Sequence, residues 1–558
     1  MRVADYITEF LFKNGIKTSF MLSGTGSVFL DDAFANYKGM NYISARHESA
    51  AVMMAVGYYK LSQKPGVALV TTGPGGANAV GGVVEAWVDS VPTIIISGQV
   101  DSKFLDEDLR YFGVQGLNIL PIIEPITKFS KSITDPYSIK YYLDKALYYA
   151  LEGRPGPVWL DIPFDIQSAI ITDDNKMRVF NKPKEIEPSL EDVYLKADLI
   201  IKKIIKAKKP LFILGQGVEQ AGAVKDFQEI IEFFDIPFLT SRIAIDVFKG
   251  SFKNNLGLAG MKGSRYSKKI MDESDLVLSL GCSMNSALTS ESETSESDMF
   301  FPNAELIMIN NDESEFEKPG LRVDTKIHLD VKFVMRAIIN KIKDFEVSQH
   351  TSWLNYCLLL KKEYPIVDIN LERNPINSYF LVSRLSALSK KNQHFVSDAG
   401  SSYYVSGQAL DYKFNQRDIT SGAFATMGVA IPMAIGAACC DGAAQIIVIT
   451  GDGSIELNIQ ELKTVSQNNL NIKIFVINNG GYASIRASQD EYSDGRYTEA
   501  EDILNFSKVA DAFEMDYEII DDFNNIDNQI TKINSNNNPT LVEVVCERDQ
   551  KIFGPEKL

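Results

Sequence analysis

The chain has 558 residues, 45% of them hydrophobic and 23% charged, an ordinary globular composition. At roughly 150 residues per domain it has material for three or four domains. Its net charge of −17 argues against a nucleic acid or an anionic membrane as partner, because phosphate groups would be repelled; solubility is the plain reading of the charge.

Residues 1–15 (MRVADYITEFLFKNG) predict an amphipathic helix, and their acidic residues argue against a secretory signal. No uninterrupted apolar run reaches transmembrane length. Short apolar runs at 67–72 (VALVTT), 93–97 (TIIIS) and 158–161 (VWLD) predict buried parallel strands separated by helices. The polar stretch 172–188 reads as a linker. A second unit holds predicted strands at 211–214, 276–280 and 305–309, and a charged connection follows at about 341–374. A third holds predicted strands at 394–397, 445–450, 472–477 and 540–545, with a helical pattern over Glu461–Gln467. The expected fold is α/β: three consecutive open parallel-sheet domains with helices on both faces, at 1–171, 189–342 and 375–558. No short repeat is visible. The five cysteines, Cys282, Cys357, Cys439, Cys440 and Cys546, have no metal-site spacing. Adjacent Cys439 and Cys440 read as buried thiols, and a reducing, cytoplasmic compartment fits.

The most informative stretch is 445–482, QIIVITGDGSIELNIQELKTVSQNNLNIKIFVINNGGY. One strand ends in Gly451-Asp452-Gly453-Ser454. The next ends in Asn478-Asn479-Gly480-Gly481-Tyr482. Ligands of open parallel sheets bind beyond the carboxyl ends of strands, so the two motifs can face one another. Asp452 offers a carboxylate, Asn479 an amide oxygen 27 positions later, and Gly481 a carbonyl, a set of hard oxygens suited to magnesium beside a phosphate. The glycines leave amides free for phosphate oxygens, and Ser454 adds a hydroxyl. A Gly-Asp-Gly alone has the composition of any tight turn. Two strand-end motifs at this spacing are far more specific.

This segment resembles the thiamine diphosphate fingerprint of pyruvate decarboxylases, acetohydroxyacid synthases and their relatives. The resemblance covers nearly the whole chain. It implies a pyrimidine-binding domain, a central domain and a diphosphate-binding domain in that order. SARHESAAVMMAVGYY matches the region of the family's catalytic glutamate, which makes Glu48 the candidate. That role is to bond the cofactor's pyrimidine so that its imine takes the thiazolium proton, an acid–base relay. A glutamate at a helix N-terminus is also favoured by the dipole alone. TTGPGGAN, with Pro74 and Asn78, resembles the synthases' first glycine loop, and Gln115 matches an active-site glutamine. SGAFATMGVAIPMAIGAA resembles the stretch that shapes the cofactor. It implies that Ala425 offers a carbonyl to the pyrimidine amine, and that Met427 is the wedge that bends the cofactor, although a core methionine would look the same. Gly400, Ser401 and Ser402 are implied diphosphate contacts.

After Asn479 the synthases carry methionine, valine and tryptophan around a small acceptor. Here the run is GGYASIRASQ, with Ala483 beside the cofactor and Ser484, Ile485 and Ser488 in the acceptor positions. Arg486 is an added cation, either a substrate contact or a solvated helix residue. A subgroup of synthase-like enzymes in surface-polysaccharide pathways has a similar NNxGYxSIR pattern and first loop, and one activity there joins a pyruvate-derived unit to a keto-deoxy sugar. In the central domain, Gly215, Gly217, Gly260, Met261, Lys262, Gly263, Gly281 and Asp312 resemble FAD-binding loops, but LGCSMNS lacks the arginine and aspartates expected after its strand. The expected function is thus a magnesium-dependent carboligase that decarboxylates a 2-oxo acid, pyruvate first among candidates. It would transfer the two-carbon unit to a second 2-oxo acid or to a larger carbonyl such as a keto-deoxy sugar. The competing readings are acetolactate synthase proper, a simple decarboxylase and a non-catalytic cofactor-binding homologue. The decarboxylases use an adjacent histidine pair, which His47, His328, His350 and His394 do not form. The resemblance also implies a homodimer or homotetramer with the active sites between subunits.

Overall fold

The computed structural model describes residues 1–105, 109–110, 112–184, 187–248, 252–289, 301–345, 349–367, 374–442, 445–497 and 503–554. Three six-stranded, wholly parallel sheets follow one another along the chain. The first holds β1 (Thr18–Met21), β2 (Asn41–Ser44), β3 (Gly66–Val70), β4 (Thr93–Gln99), β5 (Phe129–Ser132) and β6 (Val158–Pro163). The central sheet holds β7 (Pro210–Leu214), β8 (Phe238–Thr240), β9 (Asn255–Leu258), β10 (Leu276–Leu280), β11 (Glu305–Asn310) and β12 (Thr325–His328). The third holds β13 (Gln393–Ser397), β14 (Asp418–Ile419), β15 (Gln445–Gly451), β16 (Ile472–Asn478), β17 (Asp516–Ile520) and β18 (Thr540–Val545). The helices that position the site are α1 (Glu48–Ser62), α2 (Pro74–Val88), α3 (Ser401–Ala409), α4 (Ala430–Ala438), α5 (Glu461–Gln467) and α6 (Ala483–Tyr492). Among the described residues no helix is long and apolar enough to cross a membrane.

The expected strands are present within one or two residues at their ends. The strands without an expected counterpart, β1, β2, β5, β8, β9, β12, β14 and β17, are two to five residues long. Several lie at sheet edges, where alternate residues face solvent and the apolar signal fades, as in the mostly exposed NYIS of β2. The strand orders carry information that was not legible. The first sheet runs β2-β1-β3-β4-β6-β5, and the third runs β14-β13-β15-β16-β18-β17, the same order counted from its own first strand. The central sheet runs β12-β11-β10-β7-β8-β9, the order of dinucleotide-binding folds.

The first and third domains share one core. A single apolar cluster continues from Phe20, Val70 and Trp159 of the first domain to Ile435, Val448 and Leu541 of the third. At its centre α1 crosses α4 through two glycines. A Cβ on Gly57 would lie 2.1 Å from the Met433 carbonyl oxygen, and one on Gly436 would lie 1.8 Å from that of Met54. Only hydrogen fits at either point, and a forced methyl in such packing costs about 1–3 kcal/mol.

Beside this crossing lies a buried polar cluster. Lys60 on α1 donates to Asp89 and to the Thr420 carbonyl. Asp89 accepts from the Gly422 amide at 2.9 Å. Glu85 on α2 accepts from the hydroxyls of Ser421, at 2.9 Å, and Thr426. The loop 420–426 of the third domain is therefore held by acids of the first. Burial, then the charge of Asp89, push the Glu85 carboxyl up to about 7, against the pull of Lys60 and the two hydroxyls. The central domain is joined to the third by Arg242, paired with Asp418, and by Arg417, which is bidentate to Glu219 at 2.6 and 2.8 Å.

Because the folded-state pKa of Glu85 is raised, its contribution to stability is fully present below the ordinary glutamate value near 4.5 and is lost as pH rises through about 7. Glu85→Gln, neutral at every pH, is expected to raise the unfolding temperature relative to wild type more at pH 8 than at pH 6. Thermal scans at the two pH values measure this, and an equal difference at both would contradict it.

Candidate cofactor site

β15 and β16 are adjacent and in register, Gly451 opposite Ile477, so their carboxyl ends emerge together. Asp452 joins the two motifs. One carboxylate oxygen accepts from the Gly453 amide at 2.8 Å, and the other accepts from the amides of Asn479 at 3.1 Å and Gly481 at 2.9 Å. Burial raises the Asp452 pKa, and these backbone donors oppose the rise. A Cβ on Gly453 would lie 2.1 Å from the Tyr482 ring, so the ring packs against the first turn and brings the two motifs into contact.

The donor set suits a hard cation. Asp452 is an oxygen ligand with lone pairs to spare. Among the described residues the Asn479 side-chain amide has no protein partner. Among the described residues the Gly481 carbonyl accepts only from the Ala483 amide, at 2.9 Å, which leaves a second lone pair. Among the described residues no group of three or more His, Cys, Asp or Glu could hold a metal. The set has one carboxylate and neutral oxygens, which is how magnesium is held when phosphates complete its shell.

Two helix N-termini flank this point. α3 begins after Gly400, α6 begins at Ala483, and a Cβ on Gly400 would lie 3.6 Å from the Ser484 hydroxyl. First-turn amides lack intrahelical acceptors and favour anions. The Ser401 hydroxyl is uncommitted among the described residues. The Ser402 hydroxyl is not, because it donates to the Ala399 carbonyl at 2.8 Å and leaves only its amide for a phosphate. Ser454 is buried, with its hydroxyl toward Gly451.

Ala425 has a positive φ of 49°, and Met427 is half-buried rather than core. Both stand on the loop that Glu85 and Asp89 hold. On the first domain, Glu48 is buried at the first turn of α1, behind the His47 cap, whose ring nitrogen accepts from the Ser49 amide. Glu48 accepts from the Asn78 side-chain amide at 3.0 Å and lies beside Gly75 on the exposed Pro74 turn. Gln115, exposed and at a positive φ of 61°, packs its carbonyl against Gly73. Glu48, Asn78, Pro74 and Gln115 thus form one cluster, and Asp452, Asn479 and Gly481 another. Neither Glu48 nor Asn78 bonds to the Asp452 cluster.

Arg486 departs from both expectations for it. It is 1% exposed, so it is not a solvated helix residue. Its guanidinium is turned from the acceptor positions onto backbone carbonyls, so it is not a substrate contact either. Ser484 is half-buried, while Ile485 and Ser488 are exposed on the outer turn of α6. In the central domain the glycines have a packing role of their own. A Cβ on Gly215 would lie 2.0 Å from the Gly281 carbonyl, to which Gly217 donates its amide at 3.1 Å. Asp312 is paired with Arg154 at 3.0 Å, and the carbonyls of Lys262 and Gly263 accept from Gln408. Gly260 packs on Ala287, and Met261 is exposed.

One residue was not foreseen. Asp398, just past β13, is fully buried and accepts from the amides of Ala399, Gly428 and Ala430 at 2.8, 2.7 and 3.1 Å and from the Thr450 hydroxyl at 3.3 Å. It ties the ends of β13 and β15 to the turn that carries Met427. The only signal in the sequence is an aspartate after a strand, which is common.

Models of the thiamine pyrophosphate enzymes match three segments: the N-terminal TPP binding domain over residues 1–119, the central domain over 197–338 and the C-terminal TPP binding domain over 398–544. The chain belongs to this family, whose cofactor is thiamine diphosphate. Among known proteins it is similar to the acetolactate synthase large subunit of Buchnera aphidicola subsp. Schizaphis graminum, 30% identical over 520 residues, 91% of this chain and 88% of that one. It is also similar to the acetolactate synthase isozyme 1 large subunit of Escherichia coli K12, 29% identical over 99% of this chain and 95% of that one. The acetolactate synthase large subunit of Lactococcus lactis is 28% identical over 99% and 93%.

Removing Asp398 leaves three amides without their acceptor and frees the Met427 turn. Asp398→Ala is expected to weaken thiamine diphosphate binding by roughly 10- to 100-fold, the usual effect of losing a supporting contact. Calorimetric titration measures it, and unchanged affinity in the folded variant would contradict the role.

Proposed function

We propose that this protein is an acetolactate synthase-like carboligase, which decarboxylates a 2-oxo acid such as pyruvate and joins the two-carbon unit to an acceptor carbonyl. The observation that carries this reading is the pair of strand-end motifs joined by Asp452, in a chain similar along almost all its length to acetolactate synthase large subunits. Asp452, Asn479 and Gly481 would hold magnesium. Gly400, Ser401, the Ser402 amide, Gly451, Gly453 and Ser454 would hold the diphosphate, with Tyr482 and Ala483 closing over it. Ala425 and Met427 would set the cofactor's bend. When bound, thiamine diphosphate supplies a carbon nucleophile and an electron sink for loss of CO₂.

Glu48 holds the proton at the pyrimidine end. Its carboxyl is buried, accepts from Asn78 and lies beside Gly75 of the Pro74 turn. By likeness to the thiamine diphosphate enzymes the reading includes a homodimer, or a tetramer of two dimers, in which Glu48 of one subunit serves the other's diphosphate site. The cytoplasm is the proposed compartment, consistent with five cysteines that are all free thiols. FAD as a structural group in the central domain is supported by its strand order alone, since the glycines expected to face a dinucleotide pack against each other. Flavin absorbance of the purified protein tests this part.

Glu48→Gln is expected to slow turnover by roughly 100-fold or more with cofactor still bound. Near-normal turnover would remove Glu48 from this role. The acceptor is tested by product mass. Pyruvate alone is expected to yield acetolactate, whereas product only on addition of a ketose would favour the second reading, a keto-deoxy sugar acceptor. The small side chains of Ser484 and Ser488 are what support that alternative. Absence of CO₂ release across a panel of 2-oxo acids would overturn both.

A further inference from the structure

Arg486 is among the largest fully buried side chains of the described residues. It lies on the first turns of α6, and it reaches back to the loop that precedes that helix. Nη1 donates to the Gly480 carbonyl at 3.0 Å, and Nη2 donates to the carbonyls of Asn479 at 3.2 Å and Arg548 at 2.5 Å. Nε donates to the Asp549 carboxylate at 3.0 Å. Arg548, from the segment after β18, adds a second donor to the Gly480 carbonyl at 3.1 Å.

The backbone of the loop is thereby committed on both sides. The amides of Asn479 and Gly481 point inward to Asp452, and the Gly480 amide turns to the Asn478 side chain at 3.4 Å. The carbonyls of Asn479 and Gly480 point outward to Arg486. With its amide and carbonyl both fixed, Asn479 keeps one polar group uncommitted among the described residues, its side-chain amide. A planar guanidinium presents its donors in a rigid fork, so it fixes the directions of the carbonyls it holds; an ammonium on a flexible stem is a compact charge without that geometry.

We propose that Arg486 is a positioning residue for the metal site, clamping the Asn479-Gly480 carbonyls so that the Asn479 amide and the Gly481 carbonyl face the cation. Through Arg548 and Asp549 it also links that site to the C-terminal segment. This rests on the assignment of Asp452, Asn479 and Gly481 as the metal set. The fixed positive charge of Arg486 would by itself repel a divalent cation. Geometry and charge therefore predict opposite effects of its removal.

The test is binding, not activity. Mn²⁺ is titrated by electron paramagnetic resonance into the folded protein in the presence of thiamine diphosphate. Wild type is expected to bind one Mn²⁺ per chain. Absence of such binding in wild type would sink the metal assignment itself. Arg486→Met and Arg486→Lys are both expected to raise the Mn²⁺ dissociation constant by about 10- to 100-fold. Unchanged or tighter binding in Arg486→Met would overturn the clamp. So would Arg486→Lys with wild-type affinity, because charge alone would then suffice. If the buried substitutions do not fold, Arg548→Ala tests the same carbonyl from an exposed residue. A several-fold loss of Mn²⁺ affinity is expected there, and no change would overturn the proposal.

Discussion

The crossing of α1 and α4 is the contact on which the rest depends. Two helices from domains far apart in sequence approach until backbone touches backbone, and only Gly57 and Gly436 permit it. The crossing merges two cores into one. It also sets the direction in which α1 presents Glu48 at its first turn. It places Lys60, Asp89 and Glu85 against the loop that carries Ala425 and leads to Met427.

The loop after β16 is organised on the same principle at a smaller scale. Its peptide groups are satisfied inward by Asp452 and outward by Arg486 and Arg548. A buried carboxylate is costly unless hydrogen-bonded, and a buried guanidinium likewise. Each here is satisfied by main-chain groups and, for Arg486, by an exposed aspartate, so the loop is held without using the oxygens left for a cation.

Much of this was legible in the sequence where the relevant groups are neighbours. Asp452 and Asn479 could be paired because both sit at ends of long, fully buried strands whose apolar runs are unmistakable. Glu48 and Asn78 could be grouped only by resemblance, since 30 residues and a strand separate them. The short strands β1, β8 and β14 were not legible, because a few residues carry too little pattern. Nor was the identical strand order of the first and third sheets, which depends on pairing rather than on composition. Arg486 looked like a helix-surface cation, because nothing nearby in the chain reveals that the segment at 548–549 folds over it.

The sequence by itself determined the three α/β units and the cofactor class, because those depend on local periodicity and on motifs a few residues long. The tertiary structure alone decided which polar groups are spent on structure and which remain free. It assigned Ser402's hydroxyl to a turn, Arg486 to three carbonyls and Asp549, Gly215 and Gly281 to each other, and Asp398 and Glu85 to the segment around Ala425 and Met427. The reason is physical: a buried polar group must find a partner, and that partner is chosen by packing between segments hundreds of residues apart.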